Sequence, residues 1–217
     1  MAASDISTVS SQTGRKLKIV NYTALAWEQI QTAHRTWRWM RTEFTFAMTA
    51  PTQRYSGSDM SLTRWSRWVF DPRRENWSGF SNYLTATGVS DEQPMLFMDW
   101  MSFRRRFLFG TQTADRPSFF TIDNAGQFTL GPYPAADYTL VGEYQKSPQT
   151  LTANSDEPEC PAENHDVIVW WALMLLAEHD EAIIQDPWWR LQRSAEYQKL
   201  MLSQLDPIEM GPGSVLA

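Results

Sequence analysis

The sequence predicts an α+β fold: N- and C-terminal helices form an antiparallel helical bundle that carries an inserted small antiparallel β subdomain. Three observations predict it. Apolar residues recur at helical spacing toward both ends of the chain, over 22–37 and 165–204. Aromatic and polar residues alternate with a period of two over 40–49, and short aromatic runs fill 117–145. Clusters of Gly, Ser, Asn, Asp and Pro punctuate the runs. The bundle is expected from residues 1–39, 94–108 and 164–205, and the β-rich subdomain with its loops from 40–93 and 109–163. Residues 206–217 contain Gly-Pro-Gly, which cannot be regular, and are expected to form an extended arm.

Taken in order, 5–13 suggests a short helix with Asp5 as N-cap and Gly14 as its stop. Leu25, Ile30, Ala33 and Trp37 mark a helix over about 22–37. The period then changes, and 40–49 reads as a strand. Ala50-Pro51-Thr52-Gln53 forms a turn, after which Arg54-Tyr55-Ser56 is expected to pair back as a hairpin. Within the Gly- and Ser-rich stretch 57–92, strands are expected at 65–70 and 83–85, with 71–79 as an exposed loop between them. Pro94 is read as the start of a helix over 94–108 that ends in Arg104-Arg105-Arg106, where cations complement the helix dipole. Segments 118–122, 127–130 and 138–144 form a hairpin plus one strand in a single small sheet. An acidic, Pro-containing connector leads to Asn164, read as the cap of a helix over 165–181. Asp186 and Pro187 then open the last helix, 187–204.

The 217 residues include 11 Trp, 11 Phe and 7 Tyr, side chains that bury large areas in cores and at protein interfaces. Net charge is −6 but unevenly spread: 14 Lys+Arg against 9 Asp+Glu in residues 1–110, and 5 against 16 in 111–217. The simplest reading is the solvated faces of a soluble protein; the sharper one is that identical subunits arranged head to tail set a basic surface against an acidic one. One cysteine, Cys160, excludes an intrachain disulfide. The first residues show no basic-then-apolar leader, and the longest apolar run, Val167–Ala177, is too short to span a bilayer, so a soluble protein made in the cytoplasm is expected.

Candidate chemistry is sparse. His34, His165 and His179 lack metal-ligand spacing with one another or with Cys160. Cys160 and His165 lie five apart with nothing marking an orienting group or an oxyanion hole. No phosphate-binding glycine pattern is present. Arg104-Arg105-Arg106 beside Trp100 and Phe103 resembles a nucleic-acid patch, but a pI near 5.1 disfavours sustained phosphate binding. The expectation is a protein without enzymatic activity, metal or cofactor.

The order of several motifs carries a resemblance. Ala24, Ile30, Ala33-His34, Trp37-Arg38-Trp39, Phe44-Thr45-Phe46 and Tyr55 resemble the opening of the tailed-bacteriophage head-to-tail adaptor family. The middle is similar too, in Asp99-Trp100-Met101-Ser102-Phe103-Arg104, Arg116-Pro117-Ser118-Phe119-Phe120 and Leu130-Gly131-Pro132-Tyr133-Pro134 through Tyr138. The resemblance spans about residues 5–205. It implies a non-enzymatic virion protein of the neck: a ring subunit, commonly twelve-fold, that docks beneath the portal, links capsid to tail and lets genomic DNA pass through its lumen without sequence-specific binding. Its implied partners are the portal protein, the tail nozzle or tail fibre proteins, and copies of itself. Within that frame portal contacts are expected at Trp188, Trp189 and Arg193, and on the arm at Pro207, Ile208, Met210, Val215 and Leu216. Tail contacts are expected at Arg73, Arg74 and Trp77, and inter-subunit contacts at Arg104, Arg105 and Arg106. Segment 57–92 is richer in Trp and Arg than the family pattern, so its contacts do not carry over. The competing reading is a carbohydrate- or receptor-binding tail module in which Trp65, Trp68 and Trp77 stack on sugars. It requires a β-sandwich, which the helical ends oppose.

Overall fold

A computed structural model describes residues 8–34, 36–73, 78–179 and 187–204. In chain order it contains helix α1 (Gly14–Ala33), strands β1 (Arg41–Met48), β2 (Arg54–Tyr55), β3 (Trp65–Val69), β4 (Ser81–Leu84), β5 (Gln93–Pro94) and β6 (Leu96–Phe97), and helix α2 (Trp100–Phe107). Strands β7 (Phe119–Ile122), β8 (Phe128–Gly131) and β9 (Tyr138–Lys146) follow, then helices α3 (Asp166–His179) and α4 (Pro187–Gln204). The chain divides into two compact units, one of Met1–Trp39 with Pro148–Ala217 and the other of Met40–Ser147.

The second unit is built on two sheets. In the first, the long strand β9 pairs antiparallel with β1 along eight residues, and β4 and β3 share its other edge. In the second the order is β2-β8-β7-β6, with only β6 and β7 parallel. Alternation in β1 works as the period predicts: Phe44 and Met48 are buried and Phe46 half-buried, while Glu43, Thr45 and Ala47 face water. The core is aromatic. Phe80, fully buried, sits with its ring 5.0 Å from Phe120, 4.9 Å from Phe128 and 6.2 Å from Trp68. At Gly142 a Cβ would lie 2.2 Å from the Phe80 ring, so β9 can cross this ring only with glycine.

Arg116 ties this unit together away from the aromatic core. Its guanidinium donates to Asn82 Oδ1 and O, and to Asp91 Oδ2 and O, at 2.7–3.1 Å. The Leu84 amide and then Arg116 hold the Asp91 carboxyl below its ordinary pKa. Hydrogen bonds to the charged form cause such a shift. A carboxylate with a depressed folded pKa stabilises above its unfolded pKa of about 3.9, and that contribution fades as pH falls through the folded value. Arg116→Ala is therefore expected to lower stability at pH 7, leaving the carbonyls of Asn82 and Asp91 and the Asp91 carboxylate without that donor. In thermal melts from pH 7 to pH 2, the acid-induced fall should shrink in the variant but persist, because the Leu84 amide still favours the carboxylate. An unchanged acid limb would refute the role of the Arg116–Asp91 pair.

The first unit packs α1 against α3 and α3 against α4. Helix α1 ends where Trp37 folds back and donates its indole N–H to the carbonyls of Ile30 and Gln31, at 3.1 and 3.0 Å. That indole stacks on Trp39 at 4.2 Å and meets Tyr197 of α4 edge-on. Trp171 of α3 donates to Gln29 Oε1 at 2.7 Å, and Arg193 of α4 lies over the Trp171 ring. The connector is clamped to α1 by a reciprocal pair: Gln149 N donates to Gln31 Oε1, and Gln31 Nε2 donates to Gln149 O.

The expected helical bundle with a small β insertion is not what the chain forms. The described residues give an α+β protein with four α-helices and nine strands in two sheets. Two physical causes stand out. Pro94 does not open a helix but lies in β5, and α2 begins only at Trp100, where Asp99 accepts from the amides of Met101 and Ser102. The expected single sheet of 118–144 is split, with β7 and β8 in one sheet and β9 central to the other. Likewise β2 pairs with β8 rather than returning on β1. Gly14 begins α1 instead of ending an earlier helix, and described residues 8–13 are turns and extended chain, while 5–7 of that expected helix lie outside the described residues.

Candidate functional site

The sequence-predicted residues fall on three surfaces. Arg104, Arg105 and Arg106 are exposed on α2, whose opposite side seats Phe103 and Phe107 in the protein. Beneath those rings β8 carries Gly131, where a Cβ would come within 2.6 Å of both. Arg104 lies over the Phe109 ring at 5.3 Å, and Arg106 over Phe119 at 4.8 Å and Phe107 at 5.2 Å. No described carboxylate forms an ion pair with any of the three. Met101 is 72% exposed and Phe109 58%. With Ser102, Arg104 and Arg105 they line an open cavity of about 320 Å³. The sequence does not single out Met101 or Phe109 as exposed contact residues. The Asp99 cap, by setting where α2 begins, was the signal that could have placed Met101.

On α4, Trp188 is 53% exposed and Leu191, one turn on, is 60% exposed. Arg193 points inward enough to cover Trp171, so one face of its guanidinium is already occupied. The Trp189 side chain, together with Pro207, Ile208, Met210, Val215 and Leu216, lies outside the described residues. On the loop after β3, Arg73 is exposed and its amide donates to Asp71 Oδ1, while Arg74 and Trp77 lie outside the described residues.

The sugar-stacking reading loses two of its three platforms. Trp68 is buried and donates its N–H to Gly126 O at 2.9 Å. Trp65 packs 5.3 Å from Trp68 and against Gly57 and Gly126. Trp68 belongs to the core, and Trp65, half-buried, packs against it. Cys160 is buried, and burial pushes its thiol up to about 11, the opposite of an activated nucleophile. His165 Nε2 lies 3.1 Å from the Cys160 carbonyl oxygen, not its sulfur. Among the described residues no group of three His, Cys, Asp or Glu side chains could hold a metal, and no helix is long and apolar enough to cross a membrane.

The α2 and α4 surfaces share exposed apolar and arginine side chains, the chemistry of protein-contact faces. Among the described residues these surfaces are the candidate functional site. A family model described as SU10 adaptor protein matches residues 2–214, and the chain belongs to that family. Membership gives it a phage adaptor role, as a structural component of the virion. No curated protein matches the chain.

Proposed function

We propose that the chain is a head-to-tail adaptor subunit that forms a ring, commonly twelve-fold, beneath the portal. It joins capsid to tail and surrounds the path of the genomic DNA, which it does not read by sequence. Assembly takes place in the host cytoplasm, and the protein performs no catalysis. Portal contacts come from α4 through Trp188, Trp189 and Arg193, and from the arm 206–217. Tail contacts come from the 71–79 loop, and lateral contacts from Arg104–Arg106. Part of the acidic excess of residues 111–217 lines the channel, where like charge keeps DNA from sticking.

The observation that carries this reading is the exposure of Trp188 and Leu191 on one helix and of Met101 and Phe109 on another. Large apolar side chains placed this way mark interaction sites. Mixing the purified protein with its portal and imaging the complex tests the reading. A ring on the portal is expected; a lone monomer that leaves the portal bare would overturn it. Deleting residues 206–217 is expected to leave folded subunits that fail to attach, as judged by circular dichroism and co-sedimentation. Normal attachment would remove the arm from the portal interface.

A further inference from the structure

Two features of the chain answer each other. On α2, three arginines stand side by side with no described carboxylate paired to them, next to the exposed Met101 and Phe109. Across 147–189 the sequence holds nine Asp and Glu and no Lys or Arg. Within that stretch Ala162–Asn164 forms a 3-10 turn that leads into α3. Glu163 and Asp166 are both exposed there, and Val169 is 55% exposed one turn further on. Residues three apart share a helix face, so two carboxylates and an apolar side chain form one stripe. Helix α3 is apolar from Val167 to Ala177, and a helix apolar on every side needs cover beyond the two helices it touches.

We propose that the α2 cavity of one subunit receives the Glu163–Asp166–Val169 stripe of a second copy. This rests on the ring reading above and gives it a polarity. Arg104 and Arg105 meet Glu163 and Asp166, and Val169 packs on Met101 and Phe109. The stripe runs about 9 Å along its axis, from the rise per residue, which suits a seat of little more than two helical turns. Because the two surfaces differ, the contact is heterologous, and repetition closes a ring when the rotation allows. Arginine suits this seat because its planar fork can bind carboxylate while its other face stacks on Phe109. The net charge of −6 and the all-acidic stretch favour a carboxylate-bearing partner over a nucleic acid.

Charge swapping tests it on the full-length protein, with sedimentation velocity reading assembly alone and on the portal. R104E/R105E and E163R/D166R, each confirmed folded by circular dichroism, should assemble about tenfold or more less readily than wild type, because like charges then face each other. Mixing the two variants should restore assembly, since every mixed contact regains opposite charges. The quadruple variant should assemble by itself. Wild-type assembly by either double variant, or no rescue on mixing, overturns the proposal while leaving the ring reading intact. A wild-type protein that forms no ring even on the portal removes both. A duplex-DNA anisotropy assay closes the remaining route: loss of DNA binding in R104E/R105E with assembly unchanged would make the arginines a nucleic-acid seat instead.

Discussion

Gly142→Ala is expected to cost about 3 kcal/mol or more, a large share of the 5–15 kcal/mol that holds an ordinary domain together. The added methyl would lie 2.2–2.3 Å from two ring carbons of Phe80, far inside contact distance. Phe80 cannot yield, because Phe44, Trp68, Phe70, Phe120 and Phe128 surround it with centroids 4.9–6.4 Å away. Nor can β9 retreat, since β1 is paired along it from Met48 to Arg41. Phe80→Ala alone should cost about 3–5 kcal/mol through lost burial and a cavity. The two changes should not add. Once the ring is gone the methyl at 142 has room, so the double variant should be close to Phe80→Ala in stability, a coupling of roughly 2–3 kcal/mol. Urea denaturation of the four proteins measures it. Equal costs of Gly142→Ala in both backgrounds would show that the glycine serves some purpose other than clearing the ring.

That pair also shows where the sequence stops being legible. The alternation of 41–48 was readable because every second side chain meets the same core. Helix α4 was readable as an element: the described helix Pro187–Gln204 lies on the expected 187–204, and proline suits a first helical position. By contrast β5 and β6 are two residues each, too short to carry any period, so the Met- and Phe-rich stretch after Pro94 was taken for helix. Long-range partners were invisible as well: nothing local tells β2 to join β8, or β9 to serve as the spine of the other sheet. The arginine triplet was legible as a surface. Its lack of a carboxylate partner among the described residues, and Phe109 beside it, depend on what the fold brings near. Arg116 was noted only as part of a motif. Its hydrogen bonds to Asn82 and Asp91 exist because β4 and the turn at Val89–Asp91 converge on it. The density of tryptophan was read as buried area, which holds for Trp27, Trp37 and Trp68 but not for Trp188.

Trp188 leads to the second large effect, on attachment rather than folding. Both Trp188 and Leu191 are more than half in water in the free subunit, so replacing them removes less buried area than replacing a core residue. Aspartate at 188 lies in the first turn of α4, where a negative charge is favoured by the helix dipole. W188D/L191D should therefore lose less stability than truncation of a core residue on the same helix. If this face meets the portal, each side chain counts as a buried anchor worth about 2 kcal/mol or more. The pair should then weaken attachment by about a thousandfold. Leu200→Ala provides the contrast on the same helix. Leu200 is fully buried, so its truncation should cost about 2–5 kcal/mol of stability and leave the affinity of the folded fraction unchanged. Titrating labelled portal against the three proteins separates the cases, because surface and core changes on one helix then move different observables. Wild-type affinity in W188D/L191D would transfer the portal contact from α4 to another surface, and the exposed tryptophan would need a different partner.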